Sequence, residues 1–85
     1  MLQLEVSPNP VKENVNINFF LPENSDTDLS IIDLKGNVVD VFINEILPEG
    51  PHEFSFIIAN LPEGIYFISV ETGNYREVEK IIKID

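Results

Sequence analysis

Apolar and polar residues alternate with a period of two through most of the chain, in short runs broken by Pro, Gly, Asn and Asp. That period sends successive side chains to opposite faces of a strand, and no window keeps an i, i+3, i+4, i+7 stripe long enough for a helix. The chain therefore reads as all-β. Its clearest strand is Val15-Asn16-Ile17-Asn18-Phe19, with Val15, Ile17, Phe19 and Leu21 toward a core and Asn16 and Asn18 toward solvent. Leu4–Ser7, Asp28–Leu34, Val38–Ile43, His52–Ile58, Ile65–Glu71 and Tyr75–Ile84 bring the total to about seven strands, a number that suits an antiparallel sandwich.

The connections carry turn chemistry. Asp33-Leu34-Lys35-Gly36-Asn37 and Thr72-Gly73-Asn74 put Gly and Asn where a tight hairpin needs φ > 0. Leu-Pro-Glu occurs at Leu21, Leu47 and Leu61, at unequal separations that exclude a solenoid. In each, Leu closes a buried strand, Pro presets the turn dihedral, Glu is solvated, and Gly or Asn completes the turn. None of the three continues into Thr-Gly, so a Leu-Pro-x-Thr-Gly cell-wall signal is excluded.

The 85 residues make one small domain, and without Cys neither disulfides nor thiolate metal sites can support it. Five cations against 15 carboxylates give a net charge of −10, which opposes phosphate binding and argues against nucleic acid. No apolar run approaches a bilayer span, so the domain is expected to be soluble and not membrane-spanning. Met1 is followed by an alternating segment rather than a secretory signal. The charge is uneven. Residues 1–75 hold Lys12 and Lys35 against twelve carboxylates, whereas the last ten balance Arg76, Lys80 and Lys83 with Glu77, Glu79 and Asp85. Charges on an edge strand discourage edge-to-edge pairing, and a receptor that inspects this strand is the functional alternative.

Candidate chemistry is sparse. Asp26 and Asp28, in the Asn24–Asp28 loop, form a weak calcium candidate without EF-hand spacing, beside the plainer expectation of a solvated face and no cofactor. His52 has no second His or Cys to complete a metal site, and Ser55 lies in an alternating strand rather than a nucleophile elbow. No catalytic constellation is expected. The aromatic residues sit mostly at alternate strand positions that read as core, with a sugar-stacking platform as the competing use.

Four motifs in order resemble the type IX (Por) secretion system C-terminal sorting domain. They are Ser7-Pro8-Asn9-Pro10-Val11, Leu29 to Gly36, Leu61-Pro62-Glu63-Gly64-Ile65-Tyr66-Phe67, and Lys80-Ile81-Ile82-Lys83-Ile84-Asp85. The resemblance implies a non-catalytic signal domain spanning 1–85, excised from the end of a larger exported protein. Its partners would be N-terminal cargo, a secretion translocon and a sortase-like surface protease. Cargo would pass the periplasm on its way to the cell surface or beyond. Carried over by position, Pro8, Asn9 and Pro10 match the opening motif, Gly36 the hairpin, Gly64 and Tyr66 the Gly-x-Tyr motif, and Lys80, Ile81, Ile82, Lys83, Ile84 and Asp85 the terminal strand. Asn37 departs from the basic residue many relatives carry after the hairpin glycine.

An Ig-like antiparallel β-sandwich of about seven strands follows. Tyr66 shares an inward phase with Ile68 and Val70, and Val78, Ile82 and Ile84 are expected to bury the last strand, with a bulge or two-faced contact absorbing Ile81. A terminal edge strand could serve a receptor by β-augmentation. The alternative function is an adhesive or carbohydrate-binding sandwich accessory to a secreted enzyme.

Overall fold

The computed structural model describes residues 2–85. Among the described residues there are seven strands and no helix: β1 Glu5–Ser7, β2 Asn14–Leu21, β3 Ser25–Asp33, β4 Val38–Leu47, β5 Gly50–Ile57, β6 Gly64–Glu71 and β7 Arg76–Lys83. They form a three-stranded sheet ordered β1-β2-β5 and a four-stranded sheet ordered β4-β3-β6-β7, with every strand pairing antiparallel. The all-β sandwich is the expected fold. Among the described residues no helix is long and apolar enough to cross a membrane.

The core lies between the sheets where the alternation places it. Val15, Ile17, Phe19 and Leu21 of β2 face Leu29 and Ile31 of β3 and Tyr66, Ile68 and Val70 of β6, all buried. Burying each such aliphatic side chain contributes about 1.5–3 kcal/mol. Leu2, Leu4 and Val11 add apolar weight from the N-terminal segment. The register shift between Leu29 and Ser30 leaves Phe42 as an extra residue of β4, which lets both Phe42 and Ile43 pack on the core.

Three expectations need correction. Asn24–Asp28 is not a loop, because Ser25–Asp28 already belongs to β3, with Thr27 buried between outward Asp26 and Asp28. The Thr72–Tyr75 turn does not use positive φ. The Thr72 hydroxyl accepts the backbone N–H groups of Asn74 (3.3 Å) and Tyr75 (3.1 Å) instead, and Gly36, Gly50 and Gly64 are the glycines with φ > 0. The last strand is inverted by one residue: Ile81 (0% exposed) and Lys83 (1%) point inward, while Val78 (43%) and Ile82 (41%) point outward. Its pairing with β6 runs from Arg76 to Lys83 without a bulge, so inward Tyr66 fixes its partner Ile81 inward too.

Candidate functional site

The motif residues converge on one end of the sandwich. Register aligns Asp33 of β3 with Tyr66 of β6 and Tyr66 with Ile81 of β7, while Gly64 opposes Lys83. The Leu61–Gly64 turn, the Asp33–Asn37 hairpin and the chain end therefore lie side by side.

The opening motif reaches the same place from the other sheet. β7 is an edge strand, and its even-numbered residues turn their backbone groups away from β6. Asn9 meets this edge as a neighbouring strand would: its Nδ2 donates to the Lys80 carbonyl (3.2 Å) and its Oδ1 accepts from the Ile82 N–H (2.9 Å). Val11 continues the ladder. Its N–H donates to the Ile82 carbonyl and its carbonyl accepts from the Ile84 N–H, both at 2.8 Å, closing a short parallel bridge opposite Lys83. An unpaired sheet edge is a template for another chain, and this clasp satisfies it from Lys80 to Ile84. β-Augmentation along that stretch would require Asn9 and Val11 to leave.

Farther along the edge, the Glu77 carboxylate accepts the backbone N–H groups of Leu4 (3.0 Å) and Leu2 (2.9 Å). The bond from Leu4 and then that from Leu2 hold its carboxyl below the usual range, because they stabilise the charged form. Lys83 buries its stem, donates from Nζ to the Ile84 carbonyl (2.9 Å) and lies 3.8 Å from Asp85. Its side chain thus lies inside the folded domain. Tyr66 donates its hydroxyl to the Pro62 carbonyl (2.8 Å), tying the Gly-x-Tyr strand to the preceding Leu-Pro-Glu turn.

The hairpin carries its own explanation. Asp33 Oδ1 accepts the N–H groups of Lys35 and Asn37, both at 2.9 Å, and Gly36 takes φ 91°. The N–H of Asn37 is the main reason the Asp33 carboxyl sits below its ordinary range. Asn37 also turns its own amide toward Asp33 (3.5 Å), so in this position it serves the turn.

Among the described residues no group of three His, Cys, Asp or Glu side chains is placed to hold a metal ion. Nε2 of His52 lies 2.8 Å from the Pro48 carbonyl, and Ser55 is exposed on the opposite phase of β5. The aromatic rings of His52, Phe54 and Phe56 stack along β5, and Phe42 lies flat on Phe56 with centroids 4.2 Å apart. Ring faces engaged with one another are poor platforms for a sugar.

The sequence marks the opening motif and the terminal strand but does not join them, and Glu77, which with Glu79 reads as part of a solvated strand face, instead accepts the backbone of Leu2 and Leu4. The odd phase of β7, Glu-x-Glu-x-Ile-x-Lys, looks polar and conceals its inward role. The family model for the secretion system C-terminal sorting domain matches residues 5–84. No curated protein matches the chain.

Proposed function

The chain belongs to the family of type IX secretion C-terminal sorting domains, and on that premise we propose that it is a non-catalytic address module, read as a folded unit and removed once its cargo is outside. A sorting tail of this kind is linked to cargo, meets the secretion machinery, and goes to the cell surface or the exterior. In the proposed sequence of events the cargo first enters the periplasm. The translocon then recognises the folded sandwich in which Pro8, Asn9, Pro10, Gly36, Gly64, Tyr66 and the terminal strand are brought together, and a sortase-like protease cuts upstream of the fold at the surface.

The match across residues 5–84 carries the proposal. Convergence of the motifs supports recognition of a folded surface rather than a linear tail, because Ile81 and Lys83 are inside the domain and Asn9 holds the strand from outside. The intact mass of a secreted reporter fused ahead of residues 1–85 tests the removal step. Loss of the domain's mass is expected, and a reporter recovered outside the cell with all 85 residues attached would refute removal.

A further inference from the structure

The terminal strand offers a partner little besides its outward face. On its inward side Ile81 and Lys83 belong to the core, Glu77 is engaged by Leu2 and Leu4, and Glu79 is exposed, while its edge from Lys80 to Ile84 is occupied by Asn9 and Val11. Val78, Lys80 and Ile82 remain, and they continue across the sheet. Register aligns Val78 with Ser69, Ser30 and Val41. Lys80 aligns in the same way with Phe67, Ile32 and Val38, and Ile82 lies beside Ile65. Val38, Val41, Ile65, Val78 and Ile82 are exposed. In a chain with 15 carboxylates these rows contain none.

The outer face of the other sheet shows the contrast. There Glu5, Asn18 and Glu53 share one row and Ser7, Asn16 and Ser55 the next, a polar centre of the kind expected of a solvated sheet, with the exposed apolar residues Phe20 and Ile57 set apart at its two ends. Two buried serines, Ser30 and Ser69, separate Val41 from Val78, but five exposed apolar side chains gathered on one carboxylate-free stretch of a small domain mark a surface that meets something.

Charge narrows the occupant. Beyond these rows the same face continues to Asp28, whose carboxylate accepts the Ser30 hydroxyl, and Glu71, which stand directly opposite each other, an unfavourable arrangement for like charges. Arg76, in register beside Glu71, turns its Nε to Ser69 Oγ (3.5 Å), and the only ion pair among the described residues is Lys83 with Asp85. A second copy would bring another −10 to this face, so self-association is opposed.

We infer that the outer face of the four-stranded sheet is the docking surface for a protein of the secretion machinery, one whose contact is apolar at its centre, basic opposite Asp28 and Glu71, and acidic opposite Lys80. The inference rests on the sorting function and places its recognition on a sheet face, with Val78, Lys80 and Ile82 as the terminal strand's contribution.

The test is export of a periplasm-targeted fluorescent reporter carrying the whole domain, in a host with the secretion system. Ile82→Glu on β7 and Val38→Glu on β4, at opposite sides of the face, are each expected to lower the exported fraction about tenfold, the scale of losing one central contact. Ile57→Glu, which adds the same charge to the other sheet, is expected to export like the parent. Melting curves of the purified domains establish that each variant is folded, and Val41→Ser replaces any that is not. Folded variants of the face that export like the parent overturn the inference and leave the sorting function standing. An unmodified fusion retained inside the cell overturns both. Sedimentation that shows a parent dimer dispersed by Ile82→Glu assigns the face to a second copy and overturns the inference.

Discussion

Removing the Asn9 side chain tests whether the opening motif holds the terminal strand. Asn9→Ala deletes the bonds to the Lys80 carbonyl and the Ile82 N–H while leaving both Val11 bonds in place. A neutral hydrogen bond contributes about 0.5–1.5 kcal/mol net, and at this exposed site water partly replaces each partner, so the pair is worth about 1 kcal/mol. For a domain of this size that lowers the melting temperature by about 4–8 °C. It also raises the open population of the edge about fivefold. Amide hydrogen exchange followed by NMR resolves the effect: Ile82 should exchange about fivefold faster at unchanged intrinsic rate. Ile84, whose N–H is bonded to Val11, should accelerate less. Asn9→Asp separates the two bonds, since it keeps an acceptor for Ile82 but faces the Lys80 carbonyl with a carboxylate. Ile82 should stay protected there while the melting temperature still falls. Unchanged Ile82 exchange in Asn9→Ala, or equal acceleration at Ile82 and Ile84, would refute the clasp.

Further predictions concern the interior and the other edge contact. Glu77→Gln should cost about 1 kcal/mol at neutral pH, because a charged acceptor of two backbone N–H groups becomes a neutral one. The Glu77 carboxyl is held below its ordinary value of 4.5, so its stabilisation is present above that pH and lost as pH falls through the folded-state pKa. Melting curves of parent and variant should therefore converge in acid, and a gap that stays constant from pH 7 to about 3 contradicts the assignment. Tyr66→Phe should cost about 1 kcal/mol by loss of the bond to Pro62, read by urea denaturation with unchanged slope. Lys83→Met should retain most of the stability and Lys83→Ala lose about 1–2 kcal/mol, since the buried stem matters more than the amine; equal loss in both would assign the effect to the charge.

The fold was legible because β2, β3 and β6 each repeat apolar residues with period two, and the apolar phases of β3 and β6 meet in register, Leu29 with Val70 and Ile31 with Ile68. Legibility failed where polar side chains have inward work. Along the terminal segment the more apolar phase, Val78, Ile82 and Ile84, suggested burial, but the register of β7 with Tyr66 turns Val78 and Ile82 outward and brings Ile81 and Lys83 in, while Ile84, past the strand, is half-buried. A lysine whose stem is buried and whose amine bonds a carbonyl at the chain end gives no hydrophobic signal in sequence. Similarly, Ser25-Asp26-Thr27-Asp28 has loop composition yet lies in β3, where pairing with β4 overrides local propensity. The candidate site was legible as four separate motifs. Their contact was not, because Asn9 and Ile82 are 73 residues apart and meet through a side chain that imitates backbone.

The most direct measurement of the central claim is the surface fraction of a periplasm-targeted reporter, with and without residues 1–85, in matched hosts that have or lack the type IX system. The account predicts surface or extracellular reporter only when both domain and system are present, with the other three combinations retained inside. Retention despite both, or equal export from the host lacking the system, would contradict it.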